Sequence, residues 1–161
     1  EVGPAVLSTG GAVSNTGLVL NKLGIRTQLM GKVGNDLFGQ AVRQIVDSYG
    51  ADLAGGMLVD DQASTSYTVI INLPDGDRIF LHCPGANDTF CADDVRYDLL
   101  AGPRLFHFGY PSLMRQMYTQ GGLQLARDRR LRHGAHLPYR ARHFVKRDIR
   151  YAHHKGSSHF F

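Results

Sequence analysis

Several features that would place this chain in a specialised class are scarce or absent. It contains only two cysteines, Cys83 and Cys91, so a disulfide framework is excluded and free thiols are expected. No apolar run approaches the roughly 18 residues that cross a bilayer. The first residues do not resemble a secretory signal. A cytoplasmic protein without a membrane anchor is therefore expected.

The familiar nucleotide-binding motifs are missing as well. Neither G-x-x-x-x-G-K-[ST] nor G-x-G-x-x-G occurs, so the chain has no P-loop and no dinucleotide fingerprint. What is present is a globular composition, with 43% hydrophobic and 20% charged residues in 161 positions. This composition predicts one domain that is long enough to bury a core.

The charge is distributed unevenly along the chain. Residues 1–126 hold 8 Lys and Arg against 12 Asp and Glu, whereas residues 127–161 hold 10 against 2. Three interpretations of this basic tail remain: a nucleic-acid-binding arm, a metal site, or out-of-frame translation. The histidines of the possible metal site are His133, His136, His153, His154 and His159. We favour out-of-frame translation, because the change is abrupt, and expect a disordered, non-native tail that binds neither nucleic acid nor metal.

The apolar pattern of the first fifty residues predicts a layered arrangement. Helices are predicted at residues 12–23 and 37–49, each followed by a glycine, with Asp36 as the N-cap of the second. A buried strand is predicted between them at residues 27–33. Such alternation indicates an α/β fold.

The middle of the chain has a different pattern. Residues 66–73 and 78–83 are rich in β-branched and apolar side chains and flank the turn PDGD, which predicts a β-hairpin. A further strand is predicted at residues 105–110, and Ser112 is a suitable N-cap for a helix that reaches residue 126. We interpret the hairpin as a flap inserted into an α/β domain to cover a ligand.

Two glycine clusters are candidates for a functional role. Gly10 and Gly11 precede the first helix, where bare amides can approach a ligand, and Asn15 follows one turn later with both donors and an acceptor. A tight turn with an asparagine that stabilises the helix start explains the same residues. The second cluster, GKVGNDLFG at residues 31–39, lies at a strand-to-helix turn, and Gly39 inside the helix predicts a close backbone contact.

The ordered set of motifs resembles a known family. The set comprises GG with Asn15, LG at residues 23–24, GKVGNDLFG, Thr65 before a hairpin with DGDR at its turn, GAN after it, and LFHFGYP. Over residues 5–126 this order resembles the ribokinase-like carbohydrate kinases, the PfkB family. The resemblance implies a partial ribokinase-like, Rossmann-like layered domain in residues 1–126, with a β-hairpin lid at about residues 56–90.

The resemblance also implies roles for particular residues. By this likeness the sugar-binding residues are Gly10, Gly11, Asn15, Thr68 and Ile70, the last two from their positions in the lid. The family-signature positions are Gly31, Gly34, Asp36 and Gly39. A sugar partner and a homodimer formed through the lid are further expectations.

The implied activity is that of an ATP-dependent carbohydrate kinase that uses Mg²⁺. The nucleotide-binding groups and the catalytic aspartate of the family are expected beyond this chain, so no catalytic or metal-binding residue is assigned and the truncated form is expected to be inactive alone. The segment GANDTF imitates the catalytic turn, but we reject Asp88 as the base because it follows a lid strand. A non-catalytic sugar-binding remnant and a nucleic-acid-binding protein that acts through its basic tail are the alternatives.

Overall fold

A computed structural model describes residues 3–51, 53–74, 76–100, 103, 105–110 and 113–121. Predictions that fall on Asp75, Ser112 or residues 122–161, including the basic tail and its histidines, lie outside the described residues. None of the helices in the described ranges is long and apolar enough to cross a membrane.

Both predicted helices of the first fifty residues are confirmed. Helix α1 extends over Gly11–Lys22 and helix α2 over Leu37–Asp47. Asp36 is the N-cap of α2, and its carboxylate accepts a hydrogen bond of 2.8 Å from the amide of Gly39. This bond satisfies one of the amides that a helix leaves unpaired in its first turn.

A parallel two-stranded sheet packs against these helices. Strand β1, Met30–Gly34, pairs with strand β2, Gly56–Asp60, so that Met30 lies opposite Gly56. Strand β1 begins three residues later than predicted, because the segment before its partner residue Gly56 is a 3₁₀ turn at Leu53–Gly55 and offers no ladder. Strand β2, which the sequence analysis included in the lid, therefore belongs to this sheet.

Two hydrophobic clusters cover the two faces of the sheet. The helix-side core comprises Leu18, Leu29, Val46 and Leu53, with Met57 packed against it. The C-terminal core comprises Phe90, Val95, Leu100 and Met117, with Met30 packed against it. Because Met30 and Met57 belong to adjacent cross-strand pairs, their side chains point to opposite faces. The sheet therefore forms the middle layer of an α/β arrangement, as predicted.

The predicted hairpin is confirmed. Strands β3, Tyr67–Ile71, and β4, Ile79–Cys83, pair in an antiparallel ladder that places Thr68 opposite His82 and Ile70 opposite Phe80. All residues of β3 are exposed, and in β4 only Cys83 is half-buried. A short helix α3, Ala86–Thr89, follows the hairpin and contacts β1.

The prediction of a strand at residues 105–110 is wrong. A strand needs a ladder partner, and no described residue forms a ladder with this segment. Its apolar alternation still has a structural basis, because Phe106 and Phe108 both pack against the C-terminal core with their ring centres 6.4 Å apart. Further along, a π-helical turn at Met117–Gly121 replaces the regular helix predicted there, and the fully buried Met117 anchors it in that core.

Glycines of the second cluster lie where backbone segments touch. A Cβ atom at Gly39 would overlap the carbonyl oxygen of Gly34 and lie 2.9 Å from Oγ1 of Thr65. A Cβ atom at Gly34 would lie 2.6 Å from the amide nitrogen of Thr65. The close backbone contact predicted at Gly39 is confirmed, and it explains why a helix-interior position carries glycine.

We predict that Gly39→Ala destabilises the fold although alanine is the better helix former by about 1 kcal/mol. The clash with backbone atoms cannot be relieved by a rotamer change, so we expect a net loss of about 1–3 kcal/mol in the free energy of unfolding. Urea denaturation followed by circular dichroism measures this loss. The control is Gly55→Ala, whose Cβ atom would meet only the side chain of Gln28 at 3.8 Å. Equal stabilities of the two variants would contradict the backbone contact.

Candidate functional site

The double glycine forms an open turn at the start of α1. Gly10 is extended, and Gly11 has φ = 74°, a conformation that glycine adopts without strain. Both residues are exposed, and a Cβ atom at either would meet no described atom within 4 Å. The N-cap residue, Gly10, has no side chain that could cap this helix start. Its first amides are therefore available as donors, as at other helix N-termini that receive polar ligands.

Asn15 lies one turn further along α1 and is exposed, whereas its neighbour Ser14 is buried. The amide of Asn15 makes no hydrogen bond with another described side chain. An asparagine that merely stabilised the helix start would bond to the backbone there, and no such bond of the Asn15 side chain is found among the described residues. The described contacts therefore leave both donors and the acceptor of Asn15 available.

A second segment lies beside the double-glycine turn. A Cβ atom at Gly109 would overlap the side chain of Ala12, so residues 105–110 pass directly alongside the first turn of α1. From sequence this segment was predicted as a strand and as the last motif of the family set, without a contact to α1. The glycine within an otherwise aromatic run was the one signal of a close approach.

The hairpin presents a mixed polar and apolar face that contains the predicted sugar-side residues. Oγ1 of Thr68 lies 2.8 Å from Nδ1 of His82. Ile70 shares this face with Phe80, whose ring centre is 5.4 Å from the guanidinium of Arg78. His82 and Phe80 were missed from sequence, and only the cross-strand register reveals them. No side-chain hydrogen bond among the described residues joins this face to the Gly10–Gly11 turn, so the two candidate parts remain separate.

Asp36 joins the signature segment to the start of the hairpin. Its Oδ1 accepts from the amide of Gly39 at 2.8 Å and from the hydroxyl of Thr65 at 2.6 Å. Its Oδ2 accepts from the amide of Thr65 at 2.7 Å. Oγ1 of Thr65, a residue that is 2% exposed, also accepts from the amide of Gly34 at 2.9 Å. We call this group of four residues the Asp36 clasp.

These hydrogen bonds favour the ionised form of the carboxyl group. The hydroxyl of Thr65, then the amides of Thr65 and Gly39, hold the pKa of Asp36 below its ordinary value of 3.8, although burial acts in the opposite direction. Asp36 is therefore a carboxylate that serves structure, with its oxygens already occupied by neighbouring donors.

Lys32 forms a second polar group on the same segment. Its Nζ lies 2.7 Å from the carboxylate of Asp94 and 3.8 Å from that of Asp60, and it donates to the carbonyl of Thr89 at 3.2 Å. Its side chain is 12% exposed. An ammonium group engaged in this way is not available to bind a phosphate. The lysine of the glycine-rich segment is therefore a structural residue.

Asp88, which the sequence analysis rejected as a catalytic base, lies in α3 with its carboxylate 3.7 Å from Nε of Arg115. Within the described ranges, no three side chains from His, Cys, Asp and Glu are grouped so as to hold a metal ion. Since Lys32 is also engaged, these described residues do not fit ATP with Mg²⁺.

A family model described as pfkB family carbohydrate kinase matches residues 1–120. The chain belongs to this family. Fructokinase-1 of Zea mays is 32% identical over 114 residues, which are 69% of this chain and 35% of the maize protein. Fructokinase of Solanum tuberosum is 31% identical over 107 residues, or 65% of this chain and 33% of that protein. The chain thus spans about a third of the length of these relatives.

Solved structures agree with this assignment. Fructokinase of Xylella fastidiosa with bound ATP superposes with a TM-score of 0.54 at 25% identity, covering 61% of this chain and 30% of that one. An uncharacterised sugar kinase from Pyrococcus horikoshii, at 21% identity, has a TM-score of 0.58 over 73% of this chain and 38% of its own. At 21% identity, the similarity to the Pyrococcus horikoshii protein shows a common fold and not a common function. The described structure is therefore part of a ribokinase-like α/β domain, and the family is one of sugar kinases.

We predict that Asp36→Asn destabilises the chain most at neutral pH. The variant replaces an acceptor oxygen by an NH₂ group that faces other donors, and we expect a loss of about 1–3 kcal/mol in the free energy of unfolding. Because folding lowers the pKa of Asp36, the contribution of the carboxylate is complete above the ordinary value of 3.8 and disappears as the pH falls through the lowered value. The stabilities of wild type and variant should therefore converge in acid.

Urea denaturation at several pH values between about 7 and 3 tests this dependence. The control is Asp47→Asn, since Asp47 is exposed at the end of the same helix and its side chain bonds to no described residue. If the difference in the free energy of unfolding between wild type and Asp36→Asn grew toward acid pH, the clasp would not depend on the ionised carboxylate.

Proposed function

We propose that the protein to which this chain belongs transfers a phosphoryl group from ATP to a hydroxyl of a sugar, and that the described residues bind the sugar. Family membership supports the reaction class. The observation that carries the assignment of the site is the open Gly10–Gly11 turn with an unengaged Asn15 beside it. ATP and Mg²⁺ belong to this proposal for the whole protein.

The chemistry of the turn suits a polyol. Adjacent sugar hydroxyls require donors and acceptors within a few ångströms of each other, and the α1 amides with the amide group of Asn15 supply both kinds. Thr68 and Ile70, together with His82 and Phe80 across the ladder, then supply the lid face that covers the sugar. A cover of this kind excludes water from the reacting hydroxyl.

Fructose is the first candidate for the sugar. The relatives from Zea mays and Solanum tuberosum are fructokinases by name, and the family model matches residues 1–120, which include Gly10, Gly11 and Asn15. The amide donors of a helix start do not by themselves distinguish fructose from another sugar. A panel that includes other ketoses and aldoses therefore belongs in the experiment.

Two other functions are compatible with parts of the sequence. A sugar-binding protein without kinase activity would share the turn and the lid, and it differs only in the absence of turnover with ATP. A nucleic-acid-binding protein would act through residues 127–161, whereas residues 1–126 carry more acidic than basic side chains. A cytoplasmic location is also proposed, with the two free thiols Cys83 and Cys91 in its favour.

We predict that Asn15→Ala weakens sugar binding by about five- to 150-fold, because each lost hydrogen bond in a covered site costs about 1–3 kcal/mol. Titration calorimetry with fructose and the sugar panel measures the dissociation constant. Asn21→Ala is the matched control, since Asn21 lies on the same helix near its other end. Equal affinities of the two variants would remove Asn15 from the site. Wild-type protein that binds no sugar would refute the assignment of the described residues to sugar binding.

We also propose that a second copy of this chain covers the hairpin. The face opposite Thr68 carries exposed apolar side chains, with Val69 47% and Leu81 57% exposed, and the strands bear no Lys or Glu that would protect their edges. We predict that Leu81→Glu converts a dimer to a monomer in sedimentation velocity. Leu7→Glu, at an exposed residue outside the hairpin, is the control. Wild-type protein that sediments as a monomer at high concentration would rule the dimer out.

A further inference from the structure

The two ends of the hairpin are fastened to each other. The amide of Ala86, after β4, donates to the carbonyl of Ser64, before β3, at 2.7 Å. The side-chain amide of Asn87 donates to Oγ of Ser66 at 3.0 Å. Gly85 has φ = 47°, and a Cβ atom there would overlap the carbonyl oxygen of Ser64. The base of the hairpin is therefore closely packed, in contrast to its exposed strands.

Each end is also held separately by the signature segment. Thr65, at the outgoing end, is bound by the Asp36 clasp through its hydroxyl and its amide. At the returning end, Lys32 binds the carbonyl of Thr89 and the carboxylate of Asp94. Between these ends, the ring contact that joins the strands to another described element is the stack of Tyr67 on Phe38 at 5.0 Å, beside the ladder of the strands themselves.

We propose that Lys32 and Thr65 are positioning residues, which anchor the two ends of the hairpin so that its face is held over the sugar. This inference rests on the proposed function for its consequence in sugar binding. Neither side chain is free to touch a ligand, because the ammonium of Lys32 is engaged by Asp94 and Thr65 is buried. Their effect on the sugar must therefore pass through the hairpin.

The two anchors act on the orientation of the hairpin as a whole. A two-stranded ribbon has little stability of its own, and this one buries few of its side chains. Its mean position is then set by its ends. If one anchor is released, the hairpin samples more orientations, and closing over a sugar must restore the lost order before the contacts form.

The experiment uses the full chain and two variants that act at different ends. Lys32→Met keeps an unbranched stem and removes the ammonium group. Its control is Lys22→Met, at an exposed lysine in the last turn of α1 whose ammonium lies over the ring of Tyr49, away from the hairpin. Thr65→Val keeps the shape and removes the hydroxyl, while Thr65→Ser restores it. Hydrogen exchange of the hairpin amides is measured against that of α1, and the fructose dissociation constant is measured in parallel.

We expect Lys32→Met and Thr65→Val each to accelerate exchange in β3 and β4 by about tenfold, with α1 unchanged and sugar affinity reduced by a similar factor. Thr65→Ser should behave as wild type. Exchange that rises equally in α1 would show a general loss of stability and overturn the proposal, as would unchanged exchange in the hairpin.

Hydrogen exchange of the hairpin tests the anchoring role, and the sugar dissociation constant tests the sugar site, so the two can fail separately. Selective loosening of the hairpin in a chain that binds no sugar would support the anchoring role and reject the sugar site. Should Thr65→Val fail to fold, Lys32→Met still decides the matter, because Lys32 holds the opposite end through different partners.

Discussion

The carboxylate of Asp36 connects three segments of the chain, two by direct hydrogen bonds and the third through Thr65. It caps α2 through Gly39, binds the hydroxyl and amide of Thr65 before the hairpin, and, through that hydroxyl, reaches the amide of Gly34 at the end of β1. One oxygen pair thus fixes where the strand ends, where the helix begins and where the hairpin leaves the domain. Charge-assisted bonds of this kind are stronger than neutral ones, and they explain why the strand-to-helix turn has one geometry.

The signature glycines follow from the same constraint. For Thr65 to reach Asp36, the segment before the hairpin must lie against the end of β1, and Gly34 leaves that space open. Gly39 allows the first turn of α2 to approach the carbonyl of Gly34. Each glycine costs about 1 kcal/mol in a helix or a similar amount elsewhere, and the clasp offsets that cost. The glycines therefore serve the packing of the backbone around a carboxylate.

Local patterns were sufficient to predict α1, α2, the Asp36 cap and the hairpin, because periodicity, capping and turn chemistry act over a few residues. Strand β2 was not separated from the lid, since the five residues GMLVD show no clear alternation and their partner β1 lies more than twenty positions away. The error at residues 105–110 has the same origin: alternating Phe106 and Phe108 indicate burial, which a strand and an extended unpaired segment share. The roles of Lys32 and His82 depend on contacts across the fold that no local spacing encodes.

A glycine-rich turn between a strand and a helix is often a phosphate site, and the structure shows why this one is not. The N-terminus of α2 attracts an anion, and the chain itself supplies one, because the carboxylate of Asp36 accepts a hydrogen bond from the amide of Gly39. The ammonium that would complete a phosphate site is bound by Asp94 and Asp60 on the other side of the strand. At the turn of Gly10 and Gly11 the N-cap residue is a glycine without a capping side chain, and no anion of the described residues bonds to it, so these contacts leave its amides available. Of the two glycine clusters, the second is therefore closed by its own charges, whereas the first is exposed and is the one that we propose binds an uncharged polyol.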